Sequence, residues 1–256
     1  MAEHRFHTPE PAELEIKIPI GEIDVETIDG DESTITVEGS EKILELTEVR
    51  QEGRRLIVEI KGKKPFGITI SIGDFSFGSG SSMRVRARVP HGSTPVLSTA
   101  AADMKVRGRV QSLEVKSASG DLMVRGEIER DATIKTVSGD VLLERVGGDL
   151  RFTTVSGDML ARSVGRSVEG KSVSGDVRVD SVREGNVTVQ SVSGDIEVGV
   201  EAGTNLDVDA GSVSGDLTSD VPLGSDPGSA EGYGPTLVVR GKTVSGDFRV
   251  FRASSA

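Results

Sequence analysis

The tripeptide Ser-Gly-Asp occurs seven times in this chain of 256 residues, and its spacing limits the possible folds more than any other feature. Successive aspartates of the tripeptide are separated by 19, 18, 18, 19, 21 and 31 residues. A period close to 18 indicates a repeat architecture in which each unit stacks on its neighbours. The predicted turn residues are Ser119, Gly120, Asp121, Ser138, Gly139, Asp140, Ser156, Gly157, Asp158, Ser174, Gly175, Asp176, Ser193, Gly194, Asp195, Ser214, Gly215, Asp216, Ser245, Gly246 and Asp247.

A shorter period of about nine residues lies inside this repeat. Seven valines from Val137 to Val192 are spaced 9, 9, 9, 9, 9 and 10 residues apart, and the intervening half-repeats read VSGDVLLER, VGGDLRFTT and VSGDMLARS. In the first half-repeat the predicted core residues are Val137, Val141 and Leu143, and Val146 opens the next half-repeat. The step of two is the alternation of a β-strand, and the step of four spans a tripeptide in which glycine allows the chain to turn. The full valine series is Val137, Val146, Val155, Val164, Val173, Val182 and Val192.

These patterns predict an all-β protein, a single-domain β-solenoid (β-helix) of about 18-residue coils with two nine-residue half-repeats each. Core positions spaced by four, two and three residues do not form a helical stripe, and regularly placed glycines would interrupt a helix. A β-sandwich would require longer strands and recurring hairpin turns. Short strands, identical turns and a fixed period instead favour parallel strands about 4.8 Å apart.

Two sections of one continuous domain are expected. Residues 1–90 form an irregular N-terminal β section or cap, with two strands in a hairpin over 43–60 and a loop rich in Gly, Ser and Phe. Residues 91–256 form the regular solenoid, interrupted by an insertion loop at 223–235. The final coil closes with Phe248, Val250 and Phe251.

Composition excludes several kinds of function. The chain has no cysteine, so disulfides and thiolate metal sites are impossible. A net charge of −11 argues against nucleic acid, since phosphates require concentrated basic residues. No apolar stretch approaches the ~20 residues that span a bilayer, so we expect no membrane insertion and a cytoplasmic protein. No cofactor motif is evident, and we expect neither a cofactor nor an enzymatic activity.

The run TVSGDVLLERVGGDLRFTTVSGDMLARSVG resembles the bacterial β-strand repeat family known as "putative adhesin", a domain of unknown function. The opening FHTPEPAELEIKIPIGEIDVETIDGD and the segment RVRARVP are similar to the same family, so the resemblance covers nearly the whole chain. It implies a β-helix fold of the right-handed type and no established activity.

Stacked aspartates at the turns would repel one another by about 1 kcal/mol per adjacent pair in water, so something must offset the repulsion. Our leading interpretation is that each carboxylate accepts hydrogen bonds from turn N–H groups or from the neighbouring serine. Calcium between the coils and carboxylate catalysis on one face are the alternatives. The half-repeats lack the glycine spacing of calcium-binding nonapeptides, and catalysis would need a paired acid and base beside a groove.

Two further sets of polar residues have ordinary interpretations. The hydroxyl series two residues before each turn serine is predicted to lie on the β-surface, and ice binding by this series is the alternative. His4 and His7 are three residues apart and could begin a metal site, but a surface role is favoured. His91 follows Pro90 in a turn, with no partner that the sequence identifies. The hydroxyl series is Thr136, Thr154, Ser172, Ser191, Ser212 and Thr243.

The function predicted from the sequence is a non-enzymatic scaffold or interaction protein that associates with itself and with an unknown protein partner. Strand edges at the ends of a solenoid invite pairing, and no polar cap follows the C-terminal coil. The alternatives are a carbohydrate-binding, adhesin-like surface protein and a calcium-binding repeat module. Self-association is expected through the C-terminal edge or through the loop that carries three phenylalanines, unless these phenylalanines fold back over the solenoid as a cap. The candidate interface residues are Phe66, Phe75, Phe77, Phe248 and Phe251.

Overall fold

A computed structural model describes residues 1–61, 83–221 and 234–253, and nearly all of them form β-strands. One short helix, α1 (Glu41–Leu46), lies in this part of the chain. The strands are β1 (Ala2–His7), β2 (Glu13–Ile28), β3 (Glu32–Glu38), β4 (Thr47–Glu52), β5 (Arg55–Ile60), β6 (Arg84–Pro90), β7 (Thr94–Val110), β8 (Leu113–Ser119), β9 (Leu122–Ile128), β10 (Ala132–Lys135), β11 (Val141–Val146), β12 (Leu150–Thr153), β13 (Met159–Val164), β14 (Val168–Lys171), β15 (Val177–Val182), β16 (Gly185–Gln190), β17 (Ile196–Val200), β18 (Asn205–Ser214), β19 (Leu217–Ser219), β20 (Thr236–Ser245) and β21 (Phe248–Arg252).

The strands form an all-β solenoid in which each coil contributes one strand to each of two columns. In the first column, β8, β10, β12, β14 and β16 pair in parallel order. In the second, β9, β11, β13, β15 and β17 do the same. The long strands β2 and β7 bend through both columns and pair with each other in both. The N-terminal section and the regular repeats therefore share one continuous sheet.

Inward-facing aliphatic side chains from the two columns form a narrow core along the solenoid. Val141, Leu143 and Val146 of β11 are each at most 5% exposed, as the four-two-three spacing predicts. The turn valines are an exception, and the prediction that Val137 joins the core is wrong. Val137 is 50% exposed, while the preceding Thr136 is buried. The hydroxyl of Thr136 donates to the Ser138 carbonyl at 3.1 Å, so the polar residue turns inward and the valine turns outward.

The N-terminal end of the solenoid is closed by antiparallel strands. β5 pairs in parallel with β2 and antiparallel with β4, and β6 pairs in parallel with β2 and antiparallel with β3, which then pairs with β1. The predicted hairpin is present, with Gly53 at its turn. Residues 43–46, however, are helical, because Ser40 caps α1 by accepting a hydrogen bond from the Ile43 N–H.

The order of the last two coils in space differs from their order in the sequence. β20 lies between β16 and β18, and β21 lies between β17 and β19. The C-terminal coil is thus enclosed, and residues 205–219 form the outermost coil. This corrects the prediction that the C-terminal coil ends the solenoid. The insertion that joins these coils falls largely in 222–233, outside the described residues.

Candidate functional site

The aspartates of the turns form a continuous hydrogen-bonded ladder. The Asp140 N–H donates to the Oδ1 atom of Asp121 at 2.9 Å, and the same bond joins each turn to the next at 2.8–3.1 Å. Each of these carboxylates thus accepts a turn N–H group of the next coil, as in our leading interpretation of the turns. The spatial order is Asp103, Asp121, Asp140, Asp158, Asp176, Asp195, Asp247 and Asp216.

Glycine is required in these turns for two independent reasons. Gly157 has a φ of +122°, and a Cβ atom there would lie 2.4 Å from the carbonyl oxygen of Gly139 in the preceding turn. The backbones of successive turns are therefore too close for any side chain. The flanking serines pair through backbone bridges, such as Ser138 with Ser156. The Ser-Gly-Asp residues thus stack the coils, and their outward carboxylate atoms form a negatively charged column.

The alternative metal interpretations find no geometric support in residues 1–61, 83–221 and 234–253. No group of three or more His, Asp or Glu side chains in these ranges could hold a metal ion. His4 stacks on Phe6 with ring centroids 6.5 Å apart, and His7 faces Asp31 at 3.8 Å. The two histidines therefore have separate neighbours on the N-terminal edge strand.

One polar cluster was not found from the sequence, since its members are distant in the chain. The Nδ1 atom of His91 lies 2.7 Å from the Thr27 hydroxyl, and its Nε2 atom lies 3.6 Å from Asp29. The order Thr, His, Asp resembles a nucleophile with a base and an orienting carboxylate. However, Thr27 is 6% exposed and its oxygen accepts the Arg109 N–H at 2.8 Å. The Thr27 hydroxyl is therefore buried and is already bonded to the backbone near the end of β7.

The hydroxyl series before the turns lies mainly in the core, so the prediction of a β-surface position is wrong. Thr136, Thr154, Ser172, Ser191 and Thr243 are at most 8% exposed. Several of them donate to the carbonyl of the turn serine two residues later, at 3.1–3.4 Å. A hydroxyl at this position satisfies a carbonyl that faces the core, which an aliphatic side chain could not do.

Turn valines instead form an exposed apolar column, which we call the valine stripe. Its members are 44–51% exposed, except at the outermost coil, where Val213 is 83% exposed. A shallow groove of about 670 Å³ runs beside the last three members and is lined also by Lys171 and Lys242. The valine stripe consists, in spatial order, of Val137, Val155, Val173, Val192, Val244 and Val213.

Two of the five predicted interface phenylalanines, Phe248 and Phe251, lie among the described residues. Phe66, Phe75 and Phe77 lie outside the described residues. Phe248 is fully buried, which corrects its assignment to an exposed surface: β19 covers the strand that carries it. Phe251 is half-buried beneath the guanidinium groups of Arg178 and Arg249, at 5.3 and 5.9 Å from its ring centroid.

The outermost coil presents an open strand edge. Within the described residues, β18 pairs only with β20, and β19 pairs only with β21. Leu206 and Val208 are half-buried and Leu217 is 51% exposed, whereas their counterparts Leu237, Val239 and Phe248 in the adjoining coil are fully buried. We call β18 and β19 the open edge. It carries the apolar pattern of a core that is covered from one side only.

At the N-terminal end of the solenoid, ion pairs lie on the outer face of the sheet. The Arg84 guanidinium contacts Glu22 at 2.8 Å and Glu38 at 3.7 Å. Its hydrogen bond to Glu22 holds the pKa of that carboxyl below its ordinary value, and Lys105 adds to the effect. Near the hairpin, burial of Glu15 acts to raise the pKa of its carboxyl, but Lys17 and Arg55 together lower it.

No helix within the described ranges is long and apolar enough to cross a membrane. The features that recur in every coil are thus hydrogen-bonded turns, a narrow aliphatic core and columns of like side chains on the surface. They define the class of repetitive β-solenoid proteins whose coils are joined by structural turns.

Comparison with known proteins places the chain within that class. It belongs to the Toastrack DUF4097 family, whose model matches residues 14–251. No curated protein matches the chain. Among solved structures, it is similar to a "putative lipid binding protein" from Parabacteroides distasonis, with 15% identity, a TM-score of 0.60 and coverage of 97% of this chain and 96% of that one.

Two structures called "putative adhesin" share the fold at similar distance. The one from Bacteroides fragilis is 13% identical with a TM-score of 0.55, and the one from P. distasonis is 14% identical with a TM-score of 0.56. Both comparisons cover 97% of this chain and 96% of the other. At such identities the similarity shows the fold alone.

Proposed function

We propose that this protein is a non-enzymatic β-solenoid scaffold that associates with itself through the open edge. One observation carries the proposal: among the described strands, β18 and β19 each pair with one neighbour, and half-exposed apolar residues lie at their free side. The structural unit of the scaffold is the coil of about 18 residues with two half-repeats. Stacking a further layer on the open edge would cover Leu206, Val208 and Leu217 as the adjoining coil covers its own core.

The two ends of the solenoid differ in a way that supports this direction of assembly. The N-terminal edge strands are antiparallel and rich in charge, as in β4, whose Arg50 pairs with Glu52 and Glu59. Charged, short edge strands discourage further pairing. In the outermost coil, residues 206–219 form no ion pair with any described residue, and Leu217 remains half-exposed. Two copies meeting at identical edges would be related by a two-fold axis, so their β18 strands would run antiparallel.

Several polar groups that could support catalysis are committed to the fold, which favours a non-enzymatic role. The Oδ1 atoms of the aspartate ladder accept backbone N–H groups, and Thr27 accepts the Arg109 N–H. A scaffold requires only that these groups hold the coils in register. An unknown protein partner of such a scaffold would bind along the side of the solenoid or at its end.

Sedimentation velocity over a hundredfold concentration range tests the proposal. The wild-type protein should show a sedimentation coefficient that rises with concentration, and Leu217→Lys should weaken the association at least about tenfold by placing a charge in the new core. Thr218→Lys is the matched control, since the neighbouring side chain points away from the core and should leave association unchanged. A wild-type monomer at all concentrations would overturn the proposal.

The adhesin-like alternative gives a different result in the same experiment. A surface protein that binds carbohydrate as a monomer would bind a glycan array equally well as wild type and as Leu217→Lys. Glycan binding by a strictly monomeric wild-type protein would therefore replace the scaffold with this alternative.

A further inference from the structure

The valine stripe is a second apolar surface, on the side of the solenoid and separate from the open edge. Backbone bridges between the turn serines hold its members at the spacing of neighbouring strands. Six valines at about 4.8 Å per step span about 24 Å. Five of the valines are about half exposed and Val213 is 83% exposed, although a position in a turn would accept a polar residue as readily.

Opposite charges flank the stripe on its two sides. Lys135, Lys171 and Lys242 precede their valines by two residues and are exposed at the end of the first column of strands, and we call them the lysine column. They alternate along the stack with the uncharged Thr153, Gln190 and Gly211. On the other flank lies the aspartate ladder, three residues after each valine. None of these three lysines forms an ion pair within the described part of the chain, and neither do Asp158 and Asp176. The stripe is thus apolar in the middle, positive on one side and negative on the other.

This arrangement selects among possible partners. A nucleic acid or an anionic lipid surface would meet the aspartate column and be repelled, and the net charge of −11 adds to that repulsion. A partner must instead carry an apolar line with negative charge opposite the lysines and positive charge opposite the aspartates. The same stripe on a second copy of this chain has that pattern.

We propose that two copies dock side by side through their valine stripes, related by a two-fold axis parallel to the solenoid. Rotation about this axis exchanges the left and right flanks and preserves the direction of the coils. Each lysine column therefore faces the aspartate column of the partner, and Val137 faces the partner's Val137. A two-fold axis perpendicular to the solenoid would place lysines opposite lysines and aspartates opposite aspartates.

The geometry also sets the strength of this contact. A stripe one residue wide buries far less than the ~800 Å² per partner of a standard interface, so the lateral contact is weak on its own. The groove beside Val192, Val244 and Val213 gives the partner's side chains room at the outer coils. A dimer joined at the open edge would carry two stripes, so lateral docking between two such dimers would be multivalent and stronger than a single contact.

Single cysteines provide a direct test, because the chain has none of its own. Val137→Cys and Val155→Cys should each form covalent homodimers with a short bismaleimide at high protein concentration. Arg166→Cys, an exposed residue in the opposite turn, is the matched control, and the stripe variants should react at least about tenfold faster. Since all three positions are exposed in turns, the variants should fold like the wild type.

The direction of docking is tested by mixing two variants. In the proposed arrangement Val137→Cys crosslinks to itself, and a mixture of Val137→Cys with Val213→Cys yields little heterodimer. Preferential heterodimer would show antiparallel stripes and overturn the proposal. Crosslinking of Val137→Cys no faster than Arg166→Cys would also overturn it. Introducing Leu217→Lys into these variants keeps the stripe crosslinks, so failure of the open edge and failure of the stripe are distinguishable.

Discussion

Asp195 Oδ1 accepts a hydrogen bond of 2.8 Å from the backbone N–H of Asp247, although 52 residues separate the two in the sequence. Elsewhere the same bond joins consecutive turns 18 or 19 residues apart. Asp216, which follows Asp195 in the sequence, donates instead to Asp247 at 2.9 Å. The last stretch of chain is therefore inserted between two coils that precede it, and the ladder continues unbroken through the exchange.

The exchange predicts an unusual pattern of hydrogen exchange. Amides in β20 and β21 are enclosed by a coil on each side, whereas β18 and β19 have one neighbour among the described strands. We expect the C-terminal residues 236–252 to exchange at least about tenfold more slowly than residues 205–219, because only the latter open without disrupting an inner layer. Mass spectrometry of deuterated peptides measures this directly. Faster exchange at the C terminus would contradict the order of coils described above.

The aspartate ladder should tolerate loss of charge but not loss of the acceptor. Asp158→Ala leaves the Asp176 N–H without its partner, which lies 2.9 Å from Oδ1, and should lower the free energy of unfolding by about 1–2 kcal/mol. Asp158→Asn keeps an acceptor oxygen and removes repulsion along the column, so its effect should be within about 0.5 kcal/mol of zero.

Urea denaturation of the two variants measures both free energies. High salt should screen the repulsion along the column, so any stabilisation from Asp158→Asn should shrink. The loss of unfolding free energy in Asp158→Ala should remain. Equal losses in Asn and Ala would mean that the negative charge itself, and not the hydrogen bond, holds the turns together.

The all-β solenoid fold was predictable from the sequence because its turns leave few alternatives. A glycine with positive φ, whose Cβ would meet the carbonyl of the preceding turn, recurs at a period of 18 or 19 residues, and only stacked coils place such turns together. The inward position of Thr136 and the outward position of Val137 were not predictable from alternation, since the chain leaves the strand at this point. Their orientation depends on the hydrogen bond to Ser138, which is a feature of the folded turn.

The order of the outer coils was also not predicted, although the sequence contains a signal for it. Every Ser-Gly-Asp turn can stack on any other, so the turns alone do not specify their neighbours. Composition does distinguish the coils: Asp207, Gly211 and Ser219 occupy the outermost coil at positions where the inserted coil has Val238, Lys242 and Val250. Val250 is buried, so the inserted coil needs a neighbour on each side more than the outermost one does.

Phe152 and Gly170 lie side by side in neighbouring coils, and the ring of Phe152 fills the space that a side chain at position 170 would need. These residues pair in register, and a Cβ atom at Gly170 would lie 2.2 Å from the Cζ atom of Phe152. Gly170→Ala should therefore destabilise the protein by about 1–3 kcal/mol through overpacking. In the background of Phe152→Leu the same substitution should cost much less, which gives a favourable coupling of about 1–3 kcal/mol.

A double-mutant cycle in thermal or urea denaturation measures the coupling. Gly211→Ala serves as the control, because nothing lies within 4 Å of a Cβ atom at that position, and its effect should be within about 0.5 kcal/mol of zero. Strict additivity of the Phe152 and Gly170 substitutions would show that the two side chains do not share one space.

Stability should fall in acid partly through Glu22. Its hydrogen bond to Arg84 lowers the pKa of the Glu22 carboxyl in the folded protein, while the unfolded chain retains the ordinary pKa of about 4.3. A lowered folded pKa means that the unfolded state binds the proton first as the pH falls. The stabilisation is thus complete above the ordinary pKa and is lost as the pH drops towards the folded value.

Glu22→Gln should be less stable than the wild type at pH 7, and its stability should decline less steeply between about pH 5 and pH 3. Glu45→Gln, in an exposed position of α1, should leave the decline unchanged, and an equal decline in the wild type and Glu22→Gln would contradict the role of this ion pair.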